Sequence, residues 1–294
     1  MGYVQSGFHV QRCMVRIFSK YFARGIIVYV DDIVVYAESW PEFIMLLIEV
    51  FQTLIRYNLF LKREKCAFGV RELYVLGHVV SRDGIRSATE RIDAIRAVPF
   101  PRNARELRRF LGMTNFMRDY IMGYSMLAKP LSQQVNNPVG EWPQREMRLA
   151  FEALKDAVSS QLSLVHLDYS VPIVVQCDAS TLGIAGALIN RYPQGDRVIK
   201  CVSHAFTEAE SKWKTIEQES FAIVFILCFF RLVLIGHYFI VETDHRNIIY
   251  IHSGTSAKVV RWSLTVFVWC GVYSWGDECG GGYTKQSSGW GSAY

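Results

Sequence analysis

Six carboxylates stand where ordinary surface charge explains them poorly. Asp31 and Asp32 are neighbours in the run Ile-Ile-Val-Tyr-Val-Asp-Asp-Ile-Val-Val-Tyr-Ala-Glu, from Ile26 to Glu38. Adjacent carboxylates repel each other, and a dry setting makes that costly unless a cation sits with them. Magnesium suits such a place, because it takes few carboxylates and leaves room for phosphate oxygens. The plain alternative is a solvated Asp-Asp turn. Further along, Asp178 ends one β-rich run, Asp244 ends another, and an apolar stretch between them carries Glu217 and Glu219. Strand ends and a helix can converge in an α/β layer, where crevices form sites. Acids gathered there would also require metal.

The elements that must position these acids follow from pattern. The apolar blocks around Asp31 and Asp32 are strand-length and β-branched, so they predict a hairpin with the acid pair at its turn. Met14 and Phe18 share a helical face within 1–20. Ser39 caps a predicted helix from Pro41 to Tyr57, whose apolar residues run nearly all round and predict burial. Leu73 to Ser81, with a turn at Arg82-Asp83-Gly84, reads as a hairpin. Pro99-Phe100-Pro101 signals a linker, and Asn103 with Glu106 forms a capping box for a helix carrying Leu107, Phe110, Leu111, Thr114, Met117 and Ile121 on one stripe. Strands are expected over Val171–Asp178, Gly183–Asn190, Val198–His204 and Tyr238–Asp244. Thr207 and Glu210 predict a capping box for the helix that bears Glu219, and His245 to Ile251 starts another helix.

The bulk numbers bound the class. The chain has 294 residues, 51% of them hydrophobic, enough for about two domains. Between Arg82 and Lys129 stand nine arginines and one lysine against five acids, a surplus equal to the net charge of +5. Such a local excess suggests a polyanionic partner, and Arg105, Arg108 and Arg109 fall off the apolar stripe, where they can meet phosphates. Seven cysteines without Cys-x-x-Cys spacing exclude a zinc or disulfide framework and read as reduced core thiols. No signal peptide is visible. Phe221 to Val241 is apolar, but Arg231 at its middle makes a membrane span costly, so no membrane is expected. An intracellular setting follows, cytoplasmic or nuclear.

Tyr29-Val30-Asp31-Asp32 resembles the palm signature of reverse transcriptases. The match continues through Leu61-Lys62-Arg63-Glu64-Lys65-Cys66-Ala67-Phe68, Leu76-Gly77-His78-Val79-Val80-Ser81, Asp83-Gly84-Ile85, Glu106-Leu107-Arg108-Arg109-Phe110-Leu111-Gly112, Cys177-Asp178-Ala179-Ser180 and Thr243-Asp244-His245. In that order they resemble the polymerase–RNase H polyprotein of gypsy-class LTR retrotransposons, over about Gly7 to Phe267.

The resemblance implies an α+β and α/β chain: a partial palm with a primer-grip-like hairpin at 1–95, a thumb or connection at 96–163, and an RNase H-like mixed-sheet domain at 164–268. A degenerate tail would follow at 269–294. It makes Asp31 and Asp32 metal-binding and catalytic, but half a site, because the family's other palm Asp lies upstream. It selects Glu219 over Glu217, since the family's catalytic Glu directly precedes the run Ser220-Phe221-Ala222-Ile223-Val224. Asp178, Glu219 and Asp244 would then hold two Mg²⁺ ions and cut RNA. Gly77 and His78 would lie near nucleic acid. Implied partners are an RNA–DNA hybrid, a DNA or RNA template-primer, and the rest of a polyprotein upstream. The family's fourth acid has no clear counterpart, and Asp277 is a poor candidate. A catalytically silent nucleic-acid-binding relic is therefore the alternative.

Overall fold

A computed structural model of the chain describes residues 5–244. The expected helix at His245, the tail at 269–294 and Asp277 lie outside the described residues. The chain divides into two compact units, Met1–Val70 and Arg71 onward.

The first unit is built on α1 (Ser6–Phe18), the hairpin β1 (Ile26–Tyr29) and β2 (Asp32–Val35), and α2 (Trp40–Arg56). Tyr29 pairs with Asp32, so Val30 and Asp31 form the turn and Asp32 already belongs to β2. Met14, Phe18, Tyr21, Ile26, Val28, Leu46, Val50 and Leu54 make its core. Ser39 caps α2, its side chain accepting from the Glu42 amide. The expected burial of α2 is corrected here. Leu46, Val50 and Leu54 face the core, while Ile44, Met45, Ile48 and Ile55 are exposed. One hairpin and one helix offer α2 a single apolar surface, so only one of its stripes is covered.

The second unit opens with a three-stranded antiparallel sheet, β3 (Glu72–Val75), β4 (His78–Ser81) and β5 (Gly84–Ser87). The expected turn after Ser81 joins β4 to β5, but the Leu73–Ser81 run itself breaks at Leu76-Gly77 into two paired strands; Ile85 also bridges to Leu164. Four helices follow: α3 (Thr89–Arg96), α4 (Ala104–Asn115), α5 (Tyr124–Ser132) and α6 (Gln144–Ser159). Asn103 caps α4 as expected, its Oδ1 accepting from the Glu106 amide at 2.9 Å. The long predicted stripe stops at Asn115 and resumes as a short 3₁₀ turn, Arg118–Tyr120. Leu107, Phe110, Met117, Tyr120, Leu131, Met147, Phe151 and Leu154 close the helical core.

The remaining strands are β6 (Ile173–Ala179), β7 (Gly183–Tyr192), β8 (Gly195–Ala205) and β9 (Phe239–Glu242), with α7 (Thr215–Leu234) between the last two. The sheet order is β8-β7-β6-β9. β6, β7 and β8 run as an antiparallel meander, and β9 returns parallel to β6. A parallel return needs a crossover, which α7 supplies. One face of the sheet packs Val175, Cys177, Leu188 and Val202 against Ala222, Ile223, Ile226 and Phe230 of α7. The other buries Val174, Ala187, Ile189 and Cys201. The helical module is tied to β8 by Ser125, whose amide donates to Ser203 Oγ and whose hydroxyl donates to Ser203 O, both at 2.8 Å.

Two sequence readings shift. The Thr207–Glu210 box caps only the 3₁₀ turn Glu210–Lys212, and α7 starts at Thr215, where the Glu217 carboxylate reaches back to accept from the Lys214 amide. Among the described cysteines Cys177 and Cys201 are buried, but Cys13 and Cys228 are exposed rather than core thiols.

At Gly186 on β7 a Cβ would lie 2.5 Å from the Gln176 carbonyl oxygen and 2.5 Å from Ile226 Cδ1. Gly186→Val should therefore destabilise the unit by about 1–3 kcal/mol, as overpacking does. Urea denaturation followed by far-UV circular dichroism measures it, and an unchanged midpoint would contradict this seating of α7 on the sheet.

Candidate active site and nucleic-acid interface

The acid corner is built by strand register. β6 and β9 pair through Gln176↔Glu242, each two residues short of an acid. Continued, that register carries Asp178 and Asp244 to the same end of neighbouring parallel strands. Both are exposed there. α7 crosses the sheet beside them and brings Glu219 in from its second turn. Glu219 is only 5% exposed, and its Oε2 has no hydrogen-bond partner. Burial, then the charges of Asp244 and Asp178, push its carboxyl up to about 7. Glu219 in turn adds to the burial that holds the Cys177 thiol well above the usual range.

The geometry also has a limit. Strand alternation puts Asp178 in the row of Val174 and Gln176, whereas α7 covers the row of Val175 and Cys177. Among the described residues no group of three or more acidic, histidine or cysteine side chains stands closely enough to hold a metal ion as placed. The three acids share one electrostatic field at one corner without forming a closed ligand set. The donor chemistry still fits a hard divalent cation: three carboxylates, one of them buried with an unsatisfied oxygen. Glu217 is excluded from that set by its own work, since it accepts from the Lys214 amide at the start of α7.

Asp31 and Asp32 are exposed at the tip of their hairpin. Val30, between Tyr29 and the acids, has φ +54°, a strained conformation for a β-branched residue. Gln11 on α1 holds that turn with both ends of its amide: Nε2 donates to Val28 O at 3.3 Å, and Oε1 accepts from the Val30 amide. Sequence reasoning missed Gln11. The available signal was a polar residue on the helix face of Met14 and Phe18.

Gly77 and His78 begin the β3–β4 turn and strand. Leu76 and Gly77 both have positive φ, and a Cβ on Gly77 would strike the Arg91 guanidinium and the Phe116 ring. His78 stacks on Phe116 at 4.5 Å, and Phe116 carries Arg91 on its ring at 3.7 Å. His78 Nδ1 lies 2.5 Å from the Tyr120 hydroxyl. Burial, then Arg91, lowers the His78 pKa, so the ring is neutral in this column. Arg91, Phe116 and Tyr120 thus fix the hairpin, and none was singled out from sequence. Arg105 and Arg109 are exposed on α4; Arg108, also exposed, donates to Val135 O and Asn136 Oδ1.

The mixed sheet with its acid corner and the hairpin tipped with paired acids fall within two stretches that match known families. Residues 168–267 match the family described as RNase H-like domain found in reverse transcriptase, and residues 1–80 match reverse transcriptase (RNA-dependent DNA polymerase). The chain's relatives include retrovirus-related Pol polyproteins of gypsy-type retrotransposons. It is 32% identical over 257 residues to the retrovirus-related Pol polyprotein from transposon 297 of Drosophila melanogaster, covering 86% of this chain and 24% of that protein. To the Pol polyprotein from transposon gypsy of the same fly it is 28% identical over 267 residues, covering 86% and 25%. The transposon Tf2-3 polyprotein of Schizosaccharomyces pombe is 29% identical over 248 residues, covering 81% and 18%. The chain thus spans about a quarter or less of these relatives.

In fold it is similar to the foamy viral protease-reverse transcriptase. That protein's dRH form in complex with double-stranded DNA matches with a TM-score of 0.81 at 22% identity, covering 96% of this chain and 51% of that one. Its complex with RNA/DNA hybrid matches with a TM-score of 0.75 at 22% identity, covering all of this chain and 41% of that one. No helix among the described residues is long and apolar enough to cross a membrane. The apolar run from Phe221 instead divides between α7 and β9.

Two outcomes test this geometry. An unfolded glutamate releases its proton near 4.5, and folded Glu219 near 7. Between those values the unfolded state binds fewer protons, so stability falls as pH rises and levels off above about 7. The loss is about 2 kcal/mol after discounting for solvent reach at the corner. Urea melts in EDTA at pH 5 and pH 8 should show it, and Glu219→Gln should abolish the difference; a wild-type midpoint that does not fall would refute the buried charge. In the first unit, Gln11→Leu leaves the Val30 amide without its acceptor, at a cost of about 1 kcal/mol. Hydrogen exchange of the 28–32 segment should accelerate about fivefold to tenfold, while α2 keeps its protection. Equal exchange in both proteins would remove Gln11 from this role.

Proposed function

We propose that this chain carries a metal-dependent ribonuclease site for RNA–DNA hybrids, together with half of a polymerase site. The observation that carries the reading is Glu219: a buried carboxylate with an orphaned oxygen, pressed by Asp178 and Asp244. Such a group is destabilising unless a cation neutralises it. Asp178, Glu219 and Asp244 would hold Mg²⁺, two ions by family resemblance. Bound there, Mg²⁺ would lower the pKa of a water and neutralise charge on the leaving oxygen. The chain's own residues do the rest. α7 keeps the Glu219 carboxylate out of bulk water, and the β6–β9 register fixes where Asp178 and Asp244 meet the scissile strand.

Asp31 and Asp32 are proposed as the downstream half of a two-metal polymerase centre, held to shape by Gln11. Arg105, Arg108 and Arg109 would contact phosphates of a hybrid or template-primer, giving affinity without sequence reading. Gly77 and His78 belong to the same surface in this reading, with His78 contributing through the stacked column. Upstream polyprotein would supply the remaining palm acid.

A second reading, a silent nucleic-acid-binding relic, is favoured by the open ligand set at the acid corner. The two separate cleanly. With labelled RNA–DNA hybrid and Mg²⁺, the wild type should cut the RNA strand, and Asp178→Asn and Glu219→Gln should each lose at least a hundredfold. Binding with no metal-dependent cutting would leave the relic.

A further inference from the structure

The sheet has a second built end. Opposite the acid corner, roughly 20 Å away along the strands, a cavity of about 370 Å³ is lined by Arg82, Asp83, the segment 165–169, Tyr192 and Arg197. That volume is in the range of small-molecule sites. Its walls are fixed by backbone. The Val165 amide donates to Val198 O at 2.8 Å, and His166 Nε2 meets Ser81 O at 2.7 Å. Asn190, fully buried, clamps Asp168 from both sides: its Oδ1 accepts from the Asp168 amide and its Nδ2 donates to the Asp168 carbonyl.

The charges around the cavity are unevenly satisfied. Asp168 remains an anion but has its acceptors filled: it accepts from the Ser170 amide and hydroxyl and from the Tyr192 hydroxyl, which hold its carboxyl below the usual range. The neighbouring cation Arg191 is spent on Asp196 and Glu242. Arg82 and Arg197, by contrast, have no carboxylate partner among the described residues; Arg197 lies only over the Tyr192 ring, at 5.3 Å. Asp83 is an exposed anion at the rim. Two unpaired guanidiniums suit a phosphate, which their planar forks recognise well. A lone acid beside them suits a ligand that also carries donors, such as sugar hydroxyls or a base amine.

We infer that this cavity binds the phosphate of a nucleotide, through Arg82 and Arg197, at a site separate from the acid corner. The phosphate can come from a free nucleotide or from the end of a strand. The inference does not depend on the acid corner being active.

Isothermal titration of the full chain in EDTA tests it, because chelation removes metal-bridged binding at the acids. The probes are ADP, and a 5′-phosphorylated hexanucleotide beside its 5′-hydroxyl twin. Saturable ADP binding marks a free nucleotide. Preference for the phosphorylated hexamer over its twin marks a strand end. Either supports the site if the Arg82→Gln/Arg197→Gln variant weakens it at least tenfold while Arg56→Gln/Arg145→Gln does not. Both pairs are exposed, and matching thermal melts confirm that the variants fold. No saturable binding by any probe, or binding that survives loss of Arg82 and Arg197, overturns the inference.

Discussion

A carboxylate placed where water cannot follow it sets the terms for the second unit. Glu219 sits at 5% exposure on a helix that is apolar nearly all round. Its neighbours Ala222, Ile223 and Ile226 can offer the charge nothing, and Oε2 has no donor. α7 must nevertheless lie where it does, because the parallel return of β9 beside β6 requires a crossover and the sheet face requires cover. The same packing that stabilises the fold therefore strands the acid. Relief comes only from a proton or a cation, and near neutral pH the two compete.

The paired acids of the first unit are held by a different means. Asp31 and Asp32 are exposed, so no burial strains them. What is constrained is backbone: Val30 is kept at positive φ by a hydrogen-bonded glutamine from α1. One acid set is organised by an electrostatic field and the other by turn geometry. The first is sensitive to ions and pH, and the second to the loss of one amide side chain.

How much of this was legible depends on the range of the interaction. Local signals read well. Ser39 and Asn103 cap the helices that their hydroxyl and amide chemistry announced, and the strand runs at 173–179 and 183–192 follow their β-branched patterns. Non-local features did not read. Exposure of Ile44, Ile48 and Ile55 depends on how few partners α2 has, not on its own periodicity. Beyond its pairing with β4, β5 bridges through Ile85 to Leu164, about eighty residues away. The start of α7 was misplaced because the complete Thr207–Glu210 box is spent on a 3₁₀ turn, while α7 begins with a lysine, which offers no capping acceptor and so gave no signal. At the acid corner the residues were legible through the family pattern, while the mismatch between the Asp178 row and the α7 face needed the register.

The sheet's two ends differ in charge, and the side chains of its middle strands carry the connection between them. Gln176 and Arg191 both bind Glu242, so β6, β7 and β9 are laced together one step below the acids. Arg191 also takes Asp196, which ties the β7–β8 hairpin to that lacing. Arg191 thereby holds both acids on one guanidinium, and the cluster keeps a net negative charge. Beyond it, Asp168 keeps its charge, held by the Ser170 and Tyr192 donors, while Arg82 and Arg197 stand without carboxylate partners among the described residues. The acid corner therefore gathers carboxylates with no basic partner among the described residues, whereas the other end sets guanidiniums beside an acid already held by donors.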